Sequence, residues 1–212
     1  MMRLPPRRQW LASLIVLLLL SACSALSPSA TPQPAYYTLD SVPLTRAAGQ
    51  SGSGPTLVIG MPVAAAGYDS QRILYVREPH RLEYFAHSEW VDPPARMIAA
   101  ALVLGLQNHA QFGAVAAASG SAAGELRLDT ELVRLHHDFQ TRPSHLVLVL
   151  RATLVQDKTR RVVAVRQFET RVASASEDPP GGVHAANLAL QQVLGDLSTF
   201  LAEAASRPVR TD

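Results

Sequence analysis

A chain of 212 residues, 48% hydrophobic and 17% charged, is long enough for one domain with its own core and too short for a series of them. Its formal charge of +2 includes Arg3, Arg7 and Arg8, and no acid precedes residue 23, so the remainder carries about −1 and lacks the basic excess of a nucleic-acid binder. Cys23 is the single cysteine, which excludes an intramolecular disulfide and a C-x-x-C redox pair.

The first elements are not part of the fold. Three arginines, the apolar run from Trp10 to Leu20 and a group of small residues follow in the order of a bacterial secretion signal. The run is shorter than the roughly 20 apolar residues that span a bilayer, so residues 1–22 read as a cleaved peptide. The alternative is an uncleaved anchor with an incidental cysteine. Leu20-Ser21-Ala22-Cys23 resembles the lipobox of bacterial lipoproteins. That resemblance implies that Cys23 becomes the first mature residue and carries the acyl chains that hold the protein on a membrane. Ser24 stands where lipoproteins retained in the inner membrane of many Gram-negative bacteria carry Asp, which implies the outer membrane, facing the periplasm. Residues 23–35 form the lipidated cysteine and a Ser/Pro/Ala/Thr-rich tether that cannot bury enough apolar surface to fold.

One domain is expected over 36–206, with a polar tail at 207–212. Tyr36–Leu39 is a β-prone run, and Gly49–Pro55 a flexible loop. Thr56–Met61 reads as a buried strand, Gly67–Ser70 as a turn, and Ile73–Arg77 and Arg81–Phe85 as short strands. Asp92-Pro93-Pro94 signals a helix start with Asp92 as the cap. Met97, Ala101 and Leu104, with Ile98, Leu102 and Leu106 beside them, predict its buried face, and the helix should fade near Asn108 or His109. Phe112–Ala117 is a further strand candidate.

Glu125–Leu135 alternates through Leu126, Leu128, Thr130 and Leu132, then changes phase at Val133 and Leu135, as a bulged strand would. With Leu146–Val155 and Val162–Val172 it predicts an antiparallel meander. Val183–Ala205 predicts a helix burying Ala186, Leu190, Val193, Leu197 and Leu201. The fold class is therefore α+β, a mainly antiparallel sheet with two amphipathic helices packed on one face. The strand order is not legible.

Catalytic signatures are missing from the sequence: there is no phosphate loop, nucleophile elbow or H-E-x-x-H motif. No catalytic residue, metal or cofactor is assigned. His136-His137-Asp138 is the best metal candidate, but neighbouring side chains on a strand point to opposite faces, and a solvated strand end is the plainer reading. His145 and Asp129 would have to converge on it. Glu177-Asp178 beside Gly181-Gly182 reads as a capped helix entrance rather than an ion loop. Arg151, Arg160, Arg161, Arg166 and Arg171 read as scattered solvent-facing cations. The segment from Tyr68 to Pro94 holds five of the 12 aromatics, mixed with arginines, which is the composition of an interface hot spot and equally of a core edge. Tyr68, Arg72, Tyr84 and Trp90 are the partner-binding candidates.

The lipobox, Tyr36-Tyr37-Thr38-Leu39, Gly67-Tyr68-Asp69 before Ile73-Leu74-Tyr75-Val76-Arg77, and Leu82-Glu83-Tyr84-Phe85 leading to Trp90-Val91-Asp92-Pro93-Pro94 together resemble the ABC-type transport auxiliary lipoprotein family, which includes the PqiC-like lipoproteins. Leu126–Leu132 and Ser176-Glu177-Asp178 before Gly181-Gly182 extend the resemblance over nearly the whole mature chain. It implies a non-enzymatic partner of an ABC permease and ATPase and of a substrate-binding protein of the mammalian-cell-entry type, in systems that move lipids or other hydrophobic molecules. A homo-oligomer is compatible with it. The alternative is a structural or assembly lipoprotein that binds an outer-membrane protein or a cell-wall component.

Overall fold

In a computed structural model, residues 33–40, 53–107, 111–118 and 123–205 are described. The signal segment, Cys23, most of the tether, much of the expected Gly49–Pro55 loop and the tail at 207–212 lie outside them. The elements follow as β1 (Ala35–Tyr37), β2 (Thr56–Ile59), β3 (Val63–Ala64), β4 (Arg72–Val76), β5 (Glu83–Trp90), α1 (Pro94–Gln107), β6 (Ala114–Ala117), β7 (Leu126–Asp138), β8 (His145–Gln156), β9 (Val162–Ala173) and α2 (Pro179–Ala205). The fold is α+β.

β7 organises the sheet. Along one edge it pairs antiparallel with β8, which pairs antiparallel with β9, so the expected meander is present. Along its other edge it takes three short strands in succession, β2, β3 and β4, all parallel to it. β6 adds to β2 and β1 to β5 in parallel, while β4 and β5 pair antiparallel. The sheet is thus mixed: its two longest ladders are antiparallel, but most of the short pairings are parallel. Sequence alternation reports which face a residue occupies and says nothing about the direction of its neighbour, so this could not be read in advance.

The phase change in β7 is a bulge between Leu132 and Arg134. It lets Leu128, Thr130 and Leu132, then Leu135 and His137, face the same way, toward the helices. Leu146, Leu148, Leu150, Ala152 and Leu154 lie beside them on β8, and all five are buried.

α2 covers this face with Ala186, Leu190, Val193, Leu197 and Leu201, each fully buried as the spacing predicts. It begins earlier than Val183. The Asp178 carboxylate accepts the Gly181 amide at 2.9 Å, and Pro179 occupies the first helical position, where its missing N–H costs nothing.

α1 departs from expectation at two points. Leu104 is 42% exposed, and the buried stripe runs through Pro94, Ile98, Ala101, Leu102 and Leu106. The contact with α2 falls at Gly105, beside Leu194, and on a helix that turns positions 98, 101, 102, 105 and 106 inward Leu104 points out of the seam. At the N-terminus the Asp92 carboxylate meets the Arg96 guanidinium at 3.5 Å, one turn into the helix, instead of capping it.

Candidate docking surface and the network behind it

Antiparallel pairing of β4 with β5 slips between Arg72 and Leu74, so Arg72 lies opposite Glu89 while Leu74 lies opposite Tyr84. The slip brings the Arg72 guanidinium over the Tyr84 ring, 4.1 Å from its centroid. Parallel pairing of β1 with β5 places Tyr36 beside Glu89, so Tyr36, Glu89 and Arg72 form one row across three strands. Tyr36 is 59% and Tyr84 49% exposed. Together they make a solvent-facing aromatic and cationic patch, in which the rings are accessible and the Arg72 guanidinium is stacked on one of them. Tyr36 belongs to this patch by strand register alone, a relation that its local sequence does not contain.

The other candidates sit differently. Trp90 is 2% exposed and belongs to the hydrophobic core, so it is no part of a docking surface. Strict alternation along β5 would put Tyr84 and Trp90, six residues apart, on one face; the register shift between Glu89 and Tyr84 breaks that alternation and separates them. Tyr68 is half-buried. Its turn uses Gly67 in the left-handed region (φ 88°), and its hydroxyl shares a hydrogen bond of 3.3 Å with His136 Nδ1. Burial pushes the Tyr68 phenol up from its ordinary value. The loop is tied to the end of β5 by Gln71, whose carbonyl accepts the Trp90 amide at 2.7 Å and whose side chain donates to the Val91 carbonyl at 2.8 Å.

His136, His137 and Asp138 are buried, contrary to the solvated strand end expected of them. The two faces of β7 are closed by different pieces of chain: the Tyr68 turn covers His136, and the N-terminus of α2 covers His137. His137 Nε2 lies 2.7 Å from Ser144 Oγ and 2.8 Å from Ser174 Oγ, while its Nδ1 is buried without a partner. Burial holds both imidazoles below their ordinary value. Asp138 accepts from Gln140 and from Arg171, the latter at 2.7 Å. Burial pushes its carboxyl up, but the Gln140 donors and the Arg171 charge outweigh it and the net shift is downward.

These side chains are engaged with the protein itself. His145 lies opposite Asp138 and meets Thr141, whereas Asp129 lies far along β7, opposite Thr153, and pairs with Arg127 at 2.8 Å. No group of three or more His, Cys, Asp or Glu among the described residues is arranged to hold a metal. At the entrance to α2 the Glu177 carboxylate accepts the Ser144 amide, which holds it below its ordinary value, and Asp178 is held down by its Ser176 and Gly181 donors. The arginines of the meander are paired as well: Arg151 with Glu131, Arg160 with Asp157, Arg166 with Glu203 and Arg171 with Asp138.

The family model for the ABC-type transport auxiliary lipoprotein component matches residues 37–198. No protein of curated function matches the chain in sequence. Among solved structures, the chain is similar to a DUF330 protein from Xanthomonas campestris, with 24% identity and a TM-score of 0.70, over 80% of this chain and 95% of that one. It is also similar to an uncharacterised protein at 14% identity and TM-score 0.64, over 80% and 99% of the two chains. A hypothetical protein from Chlamydia trachomatis follows at 6% identity and TM-score 0.53, over 73% and 99%. At these identities the likeness is one of fold.

Proposed function

We propose that this chain, which belongs to the ABC-type transport auxiliary lipoprotein family, is a non-enzymatic docking subunit of an ABC transport system. Lipid on Cys23 holds it at the periplasmic face of the outer membrane. There it presents the Arg72–Tyr84 patch to a mammalian-cell-entry-type component, in a system that carries lipids or other hydrophobic molecules across the periplasm. The observation that supports this reading is the patch itself: a cation stacked on a half-exposed ring, flanked by Tyr36, on a strand pair anchored to the core by Trp90. Aromatic and arginine side chains dominate protein interfaces because they bury large areas with few rotors to freeze. A ligand-bearing or nucleotide-bearing site is not needed for this role.

The test is isolation of the full-length protein from cross-linked native membranes, with detection of the permease, the ATPase and the mammalian-cell-entry-type protein. The wild type should retain the last of these, and the Arg72→Ala, Tyr84→Ala double variant should lose it while its melting temperature falls by no more than about 5 °C. Full retention by the double variant would place docking elsewhere.

A further inference from the structure

Tyr75 lies beside His137 in the β4–β7 register, on the face of the sheet that carries α2. There Tyr75, Phe85 and Phe139 line a cavity of about 370 Å³, rimmed by Arg77, Arg142 and Glu177. We propose that this cavity seats an aromatic side chain inserted by a partner polypeptide.

Size and lining point to such an occupant. The volume is at the lower end of ligand sites, which run from about 300 to 1,000 Å³, and suits one large side chain with its flanking peptide groups. The three rings stand at mutual distances of 4.6, 5.8 and 6.3 Å, tilted or edge-on to one another. Phe85 and Phe139 are only half-buried, so this herringbone is open on one side to a further ring.

The rim decides between chemistries. Arg77 is already engaged: it donates to the Tyr75 hydroxyl at 2.5 Å, meets Glu83 at 3.3 Å and lies over the Tyr75 ring. Arg142 makes no hydrogen bond or salt bridge among the described residues; its charge helps to hold Glu177 below its ordinary value, and its N–H donors remain open to solvent. Glu177 uses Oε1 on the Ser144 amide and is otherwise exposed to solvent. A guanidinium with open N–H donors beside a carboxylate matches the carbonyl and N–H of a peptide group. The carboxylate opposes an anion, and the charged rim is a poor sleeve for an acyl chain.

The occupant comes from another molecule. After Cys23, the segments outside the described residues contain no Phe, Tyr or Trp. The cavity is also separate from the Arg72–Tyr84 patch, because neighbouring residues Tyr84 and Phe85 on β5 point to opposite faces. The inference therefore stands apart from the transport reading, and its failure would leave that reading untouched.

The experiment titrates the isotope-labelled full-length protein in maltoside micelles with N-acetyl-tryptophanamide, with N-acetyl-leucinamide and laurate as comparisons, and follows amide and aromatic resonances. The tryptophanamide should saturate with shifts centred on Phe85, Phe139 and Glu177, at least about fivefold more tightly than the leucinamide. Arg142→Ala, at an exposed position, should weaken it about threefold or more with the rest of the spectrum unchanged, and Phe139→Leu should weaken it further. Equal response to the two amides, shifts centred elsewhere, binding unaffected by both variants, or displacement by laurate as an acyl ligand would each overturn the proposal.

Discussion

His137 and Gly182 touch so closely that a Cβ on the glycine would stand 2.6 Å from the imidazole Nδ1. The N-terminus of α2 can close over the end of β7 because position 182 has no side chain. Any larger residue would have to push the helix off a histidine that two serines hold in place.

Gly182→Ala should therefore destabilise the fold by about 1–3 kcal/mol, the usual cost of overpacking a closed site. Gly195→Ala, in the same helix, meets nothing within 4 Å and should stabilise by about 0.5–1 kcal/mol through helix propensity. Urea unfolding of both variants checks the pair. Equal effects would show that the helix end is not seated on His137.

Stability should fall as pH drops below 6.5. Burial holds His136 and His137 below that ordinary value in the folded state, so the unfolded chain takes up protons first and folding is favoured less as pH falls. A second loss begins below about 4.5, where the unfolded chain takes up protons at Glu125, Glu177, Asp138 and Asp178 while the fold, which holds all four low, does not. Both windows have the same sign. Denaturant midpoints from pH 8 to pH 4 should decline throughout the acid side, and a flat profile from pH 7 to pH 5.5 would contradict the burial of the two imidazoles.

Trp90, Tyr84 and Tyr68 should separate cleanly. Trp90→Ala should cost about 3–5 kcal/mol, as loss of a large core side chain does. Tyr84→Ala removes a half-exposed ring and its Arg72 contact and should cost no more than about 1 kcal/mol. Tyr68→Phe takes the hydrogen-bond partner from a buried His136 nitrogen and should cost about 1–2 kcal/mol. Melting curves of the three variants give this order. If Tyr84→Ala unfolds the domain as Trp90→Ala does, the patch is core.

Cys23→Ala should abolish lipid labelling and lipoprotein-type cleavage, and Ser24→Asp should move the protein toward the inner-membrane fraction. Metabolic labelling and membrane fractionation check both. Normal processing of the alanine variant would remove the anchor from the proposal, and unchanged fractionation of the aspartate variant would remove the sorting rule.

What could be read from the chain alone is whatever depends on neighbours within a few residues. The stripe from Ala186 to Leu201, the alternation of β7, β8 and β9 and the phase change at Val133 each encode a face, and each is seen in the fold. The capped entrance at Asp178 was likewise a matter of spacing. Tertiary structure decided the rest, because burial and pairing depend on what lies across the gap. Leu104 turns outward because α1 meets α2 at Gly105; His136 and His137 are closed over by the Tyr68 turn and by Gly182; and Trp90 enters the core while Tyr84 on the same strand meets Arg72. The parallel pairings of β7 and the row of Tyr36, Glu89 and Arg72 bring together segments distant in sequence. A period of two specifies the face that a strand buries but leaves the identity and direction of its partners open.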